Sequence, residues 1–225
     1  MPEDFTTRES VAEVYRRRAA WYDVTANLYY LIGFRERAYR RRAVELLGLR
    51  PGDTIVEIGC GTGLNFPLLQ QEIGPEGRII GVDLSPEMLE RARQRVHRYA
   101  WTNVELVRSS AADYGFPARV DGILSTFALT LEPEYDAVVA NGARALAAGR
   151  RWVVLDLRLP ENWLRHLAPL LVFLVRPFAV SLKTADRHPW ESIASHLADT
   201  TYEEAYFGLI YIAAGTTRRA PKRSG

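Results

Sequence analysis

The sequence is poor in the residues that build covalent or metal frameworks. Cys60 is the single cysteine among 225 residues, which excludes an intramolecular disulfide and a cysteine-cluster zinc site. The four histidines, His97, His166, His188 and His196, show no metal-ligand spacing, so no metal is expected. Lysine is nearly missing: of 29 basic residues only Lys183 and Lys222 are lysines. No apolar run reaches the roughly 20 residues that a bilayer-crossing helix needs. The longest, 167–175, contains Pro169 and is flanked by Arg165 and by Arg176-Pro177. The start, Met1-Pro2-Glu3-Asp4, lacks the apolar core of a secretion signal, so a cytoplasmic location is expected. Excess charge is lacking as well. A net charge of +2 argues against a nucleic-acid partner.

What is present fits a soluble domain with a full core, since hydrophobic residues make up 48% and charged residues 25%. Residues 8–48 read as helical, with Gly33 and Gly48 as breaks and Pro51-Gly52 as a turn. After that the pattern alternates. Short β-branched runs at 54–58, 78–83, 104–107, 120–125 and 152–157 are separated by helical stretches at 64–73, 86–99 and 133–147, the last stopped by Gly149. Ser85-Pro86 supplies an N-cap and a first-turn proline. A short helix at 189–197 precedes two runs, 201–207 and 209–214, parted only by Gly208. Strands alternating with helices predict an α/β fold with a mostly parallel sheet and helices on both faces. A single glycine leaves no room for a crossover, so the last two strands should form an antiparallel hairpin. The expected organisation is an N-terminal helical cap (1–50), one main domain (51–215) with an apolar insert at 160–188, and a basic tail (216–225).

The strongest local signal is Glu57-Ile58-Gly59-Cys60-Gly61-Thr62-Gly63, placed between a strand and a helix. Glycines there admit positive φ and let a ligand approach the backbone. The ligand should lie at the carboxyl ends of the strands. The spacing differs from dinucleotide and P-loop patterns. The second strand ends in Asp83, a carboxylate able to accept hydrogen bonds from both hydroxyls of a ribose. Loop, helix and acidic residue in this order point to a nucleoside cofactor.

These residues resemble the class I S-adenosylmethionine (SAM)-dependent methyltransferases. Residues 57–63 are similar to the first motif of that family and Gly81-Val82-Asp83-Leu84-Ser85-Pro86-Glu87-Met88 to its second. Residues 120–129, which include Ser125, are similar to its fourth-strand motif, and Arg151-Trp152-Val153-Val154-Leu155-Asp156 to its fifth strand. The resemblance implies a Rossmann-like, seven-stranded sheet with an antiparallel last strand. It also implies SAM as cofactor and S-adenosylhomocysteine as product. By the same resemblance Gly59, Cys60, Gly61 and Gly63 form the loop at the methionine part of SAM, and Glu57 orients that loop from beneath. Asp83 holds the ribose hydroxyls, while Leu84 and Met88 flank the adenine. Where the family often carries Gly-Asp-Ala after the third strand, this chain has Ser109-Ser110-Ala111. The adenine contact is then left to the Ser110 hydroxyl, the Ala111 backbone or Asp113.

The acceptor is read from other segments. Tyr15 and the pair Tyr22-Asp23 resemble the start of bacterial phosphatidylethanolamine N-methyltransferases and of ubiquinone and menaquinone C-methyltransferases. There they would cap the active site and face the acceptor; core packing is the alternative. Ten arginines precede Pro51, interleaved with tyrosines, among them Arg16-Arg17-Arg18 and Arg40-Arg41-Arg42. Such a pattern suits an anionic headgroup layer or, equally, a solvated helix. The apolar insert is either a membrane-dipping lid or a buried helix pair. His188, next to Pro189-Trp190, either reaches the acceptor from the lid or simply opens a helix. The leading expectation is N-methylation of a phosphatidylethanolamine-type lipid at a membrane surface. The alternatives are a soluble small molecule or quinone precursor as acceptor, and a SAM-binding module without transfer activity.

Overall fold

The computed structural model describes residues 35–158 and 187–217. Tyr15, Tyr22, the arginines before Arg35, the apolar insert up to residue 186 and the tail from 218 lie outside the described residues. The chain opens with helix α1 (Glu36–Leu47), which Gly48 ends in the left-handed conformation at φ 62°. Then come β1 (Thr54–Ile58), α2 (Phe66–Ile73), β2 (Arg78–Asp83), α3 (Pro86–Arg98), β3 (Val104–Arg108) and β4 (Val120–Thr126). These are followed by α4 (Tyr135–Ala145), β5 (Leu146–Leu157), α5 (Pro189–His196), β6 (Ala198–Ala205) and β7 (Ile210–Thr216).

The strands form one seven-stranded sheet in the order β3-β2-β1-β4-β5-β7-β6. Pairing is parallel from β3 to β5, and β7 runs antiparallel to both β5 and β6. The direction of the chain across the sheet reverses between β1 and β4. That is the switch point at which open α/β sheets bind ligands, outside the carboxyl ends of the strands.

Alternation along the strands fills both faces. Val56, Ile58, Trp152, Val154, Tyr211 and Ala213 face α4 and α5. Ile55, Leu124, Val153, Leu155, Ile212 and Ala214 face α1, α2 and α3. Helix α1 docks through Ala43, Val44 and Leu47, all buried. Two boundaries differ from the sequence expectation. Gly149 does not stop a helix: α4 ends at Ala145 and β5 begins at Leu146, with Gly149 inside it at φ 74°. Pairing with β4 jumps from Val120↔Leu146 to Gly122↔Arg151, so the glycine serves a bulge that takes up the extra residues. The hairpin turn is a single 3-10 turn (Tyr206–Gly208) rather than one glycine. No helix among the described residues is long and apolar enough to cross a membrane.

Candidate active site

A cleft with about 950 Å³ of empty space opens along the carboxyl edge of the sheet. Its walls come from the segments that follow β3, β2, β1 and β4, in that spatial order. Ser109, Ser110 and Ala111 close one end, and Leu131 and Glu132 the other.

The glycine loop forms the floor. Gly59 sits at φ 68°, and a Cβ on it would meet the Ala128 side chain at 2.2 Å, so the loop backbone packs directly on the Ala128 side chain, just past β4. A Cβ on Gly61, at φ 54°, would meet nothing within 4 Å, because the open side of this residue is the cleft. Gly63 starts the turn into α2, over the ring of Phe66, and does not line the cleft. Cys60 does line it. Its buried thiol is pushed well above the ordinary range by burial and by the Asp83 and Glu57 carboxyls, so it stays protonated.

Asp83 anchors the loop to β2. Its Oδ2 accepts the Gly61 N–H at 2.8 Å and its Oδ1 the Ser85 N–H at 2.9 Å. Burial pushes this carboxyl up, and the Ser85 and Gly61 amides hold it down. Each oxygen keeps a further lone pair for a ligand hydroxyl. Ser85 caps α3, accepting the Met88 N–H at 3.2 Å. Met88 is buried in the wall and Leu84 stands half-exposed at the rim. Ser110 lines the cleft, but its hydroxyl is engaged: it donates to Asp113 Oδ2 and accepts the Asp113 N–H. Asp113 itself does not line the cleft.

Beneath the loop lies a buried polar network that sequence reasoning missed. Asn65 Nδ2 donates to Glu57 Oε1 at 2.6 Å and to Thr126 Oγ1 at 2.9 Å. Arg40 Nη1 donates to Thr126 Oγ1 at 2.6 Å and to Asn65 Oδ1 at 3.2 Å, and its Nε to Glu36 Oε1 at 2.7 Å. Burial pushes the Glu57 carboxyl up to about 7, against the Asn65 hydrogen bond and the Arg40 charge. Glu57 thus lies under the loop and outside the cleft, while Arg40 and Thr126 reach the cleft wall. Arg40 therefore does not belong to a solvated arginine face. Arg42 is also engaged, with Glu203 across on β6, whereas Arg35, Arg37 and Arg41 are exposed. One signal could have revealed Arg40: it shares the i, i+3, i+4, i+7 stripe with Ala43, Val44 and Leu47, the buried face of α1.

At the β4 end the structure shifts one expectation by a residue. Ser125 is fully buried within the sheet and its hydroxyl has no hydrogen-bond partner among the described residues, while Thr126 lines the cleft. Alternation along a strand accounts for the difference, since neighbours face opposite sides. Phe127 follows at φ 55°, a strained setting for a side chain of that size. Its N–H donates to Leu155 O at 2.8 Å. Glu132, also missed, is a buried carboxylate in the cleft wall. His188 does not line the cleft. It precedes α5, with its ring 4.5 Å from that of Trp190 and its Nδ1 3.2 Å from Glu191 Oε1. Among the described residues no group of His, Cys, Asp and Glu is placed to hold a metal ion.

Residues 55–149 match the family described as methyltransferase domain. The chain is 30% identical over 192 residues to the ubiquinone/menaquinone biosynthesis C-methyltransferase of Pseudomonas putida, covering 84% of this chain and 74% of that one. Two solved structures share its fold. A SAM-dependent methyltransferase from Aquifex aeolicus matches with a TM-score of 0.60 at 17% identity, over 79% of this chain and 89% of that one. Phosphoethanolamine N-methyltransferase 2 of Haemonchus contortus, in complex with SAM, matches with a TM-score of 0.64 at 16% identity, over 80% of this chain and 52% of that one. The seven-strand topology, the glycine loop at the switch point and the acidic end of β2 are the features that fit SAM as the cofactor.

Proposed function

This chain belongs to the class I SAM-dependent methyltransferases, and from that premise we propose that it methylates a ring carbon of a small aromatic acceptor of the quinone-precursor kind. The observation that carries this reading is the 30% identity, over most of both chains, to a protein described as a quinone-biosynthesis C-methyltransferase. The expected phospholipid amine has only a likeness of fold behind it.

In this reading Asp83 holds the ribose hydroxyls, Leu84 and Met88 flank the adenine, and Ser110 or the Ala111 backbone meets its edge. Gly59, Cys60 and Gly61 carry the methionine part, while Glu57 and Gly63 support the loop. When bound, SAM supplies an electrophilic methyl group on a sulfonium. The chain's task is to position an electron-rich carbon in line with it and to exclude water. Phe127, Ala128 and Leu131 offer an apolar wall at the β4 end of the cleft. A ring carbon, unlike a neutral amine, gains from a base that takes the neighbouring phenolic proton. Glu132 is the lining carboxylate on that side, the other one being Asp83 at the nucleoside side. Tyr15 and Tyr22 are assigned to the acceptor side on the resemblance alone, and His188 receives no role. Residues 1–50 are taken as a cap belonging to the same domain as 51–215. Peripheral contact of a cytoplasmic enzyme with an anionic surface is attached to the same reading through the exposed Arg35, Arg37 and Arg41.

The test uses the full chain and methyl-labelled SAM with two acceptors: a prenylated benzoquinol kept reduced, and phosphatidylethanolamine vesicles. Label on the quinol ring carbon is expected. Label in the lipid amine with none in the quinol would overturn the reading.

A further inference from the structure

We propose that Arg187 is a positioning residue for methyl transfer: its guanidinium fixes the turn after β4 that carries the acceptor wall and Glu132. The inference rests on the reading above, in which the acceptor lies at the β4 end of the cleft.

That turn does not hold itself. It leaves β4 at Phe127, whose φ of 55° is strained, and passes through a 3-10 turn of three residues (Leu129–Leu131). It delivers Phe127, Ala128, Leu131 and Glu132 to the cleft. Its own bonds are short-range, from the Leu131 N–H to Ala128 O at 3.0 Å and from the Glu132 N–H to Leu129 O at 3.1 Å. A short 3-10 piece with a strained entry persists only where its surroundings over-determine it.

Two elements do so. Strand β5 accepts the Phe127 N–H at Leu155 O, 2.8 Å, and the Thr130 N–H at Asp156 Oδ2, 2.9 Å. The second hold comes from Arg187, just before α5, whose Nη1 donates to Thr130 O at 3.0 Å. Thr130 is thus gripped by its N–H and its C=O at once, by a carboxyl and a guanidinium. The guanidinium also faces Glu132. Burial pushes Arg187 down, and the Glu132 carboxylate and then Tyr135 hold it up. Glu132 Oε1 accepts the Glu134 N–H at 3.1 Å, so the carboxyl on the acceptor side is set between a backbone amide and a fixed cation. Arg187 is anchored in turn. Three residues on, the Trp190 ring packs edge-on against buried Tyr211 at 4.8 Å, and the Arg158 guanidinium stands 5.1 Å from its centre. Arg187 does not line the cleft, so it acts through Thr130 and Glu132.

The experiment uses the full chain as wild type, Arg187→Lys and Arg187→Gln, with two readouts. Amide hydrogen exchange, read by mass spectrometry, should quicken in Arg187→Gln over residues 127–132 and not over the glycine loop. With methyl-labelled SAM and a reduced prenylated benzoquinol, kcat/KM for the quinol should fall about tenfold or more, chiefly in kcat, as misplacement of a reacting group does. The affinity for S-adenosylhomocysteine should stay within about twofold. Arg187→Lys keeps the charge without the planar fork and should recover part of the rate. In a Glu132→Gln background Arg187→Gln should cost far less, because both changes act on one carboxyl. Unchanged exchange over 127–132, a matching loss of S-adenosylhomocysteine affinity, or additive losses with Glu132→Gln would each overturn the role. Should Arg187→Gln fail to fold, Arg187→Lys carries the same comparisons. A wild type inert towards the quinol would overturn the acceptor reading alone, and exchange over 127–132 would then decide the role of Arg187.

Discussion

Glu57 has one oxygen bound to Asn65 and the other, Oε2, buried with no hydrogen-bond partner among the described residues. Burial therefore dominates its titration and lifts it from 4.5 to about 7. The folded chain keeps a proton there that the unfolded chain has already released. Stability should consequently fall as pH rises from about 4.5 to 7, by about 3 kcal/mol, and then level off. Asp156, buried under the Thr130 and Leu157 amides and lifted to about 6, adds a fall of the same sign that ends lower. The interval from pH 6 to 7 is thus mainly that of Glu57. Replacing Glu57 with Gln should flatten the curve of unfolding free energy in this interval, as read by urea denaturation. An unchanged slope would mean that the carboxyl is already ionised in the fold. The acidic residue and the glycines were legible in the sequence because they lie within a few positions of one another, on one turn. Arg40, Asn65 and Thr126 were not. Arg40 meets Asn65 across 25 positions and Thr126 across 86, and nothing local announces such a meeting.

Elements follow from periodicity where one face is apolar, and the five parallel strands with the helices between them were readable on that ground. The boundary between α4 and β5 was not. A glycine after a helical pattern reads as a stop, but here the stop is made by strand pairing that begins at Leu146, and Gly149 lies in the bulge. A second glycine, Gly142, sits within α4 and sets its distance to the sheet. A Cβ on it would fall 2.3 Å from Cζ3 of Trp152, a fully buried ring, and 2.9 Å from Ile123 Cδ1. Alanine would improve helix propensity by about 1 kcal/mol, and overpacking against a rigid ring costs about 1–3 kcal/mol. Gly142→Ala should therefore destabilise the wild type. In a Trp152→Phe background the ring atoms that clash are gone, so the same substitution should become neutral or stabilising. Thermal unfolding of the four proteins of this cycle reads the coupling, and additive effects would show that the helix does not rest on that contact.

The two edges of the sheet divide the work of the molecule. Whereas the carboxyl edge carries the cleft, with its strained Phe127, bent loop and buried charges, the amino edge carries a clamp. Arg150, from the start of β5, holds Asp53, just before β1, through two hydrogen bonds of 2.8 and 2.5 Å, and reaches Asp121 at the start of β4 at 3.3 Å. Asp53 and Asp121 also accept the backbone amides of Arg50 and Thr54. The clamp thus ties together the three central strands whose other ends carry the glycine loop and the β4 turn. Strand β1 alone separates the two edges by about 17 Å. The crossover topology was readable from the order of strands and helices, but a clamp joining positions 97 apart was not. Breaking it leaves the buried Asp53 and the half-buried Asp121 without their counter-charge, which costs about 2–3 kcal/mol in this partly exposed setting. Arg150→Ala should then lower the melting temperature by roughly 5–10 °C for a chain of this length. Because the sheet is still paired through β1, β4 and β5 below that temperature, the affinity for S-adenosylhomocysteine at 20 °C should stay within about twofold. A loss of affinity that scales with the loss of stability would instead mean that the amino edge sets the geometry of the cleft, and that stability and binding cannot be altered separately in this fold.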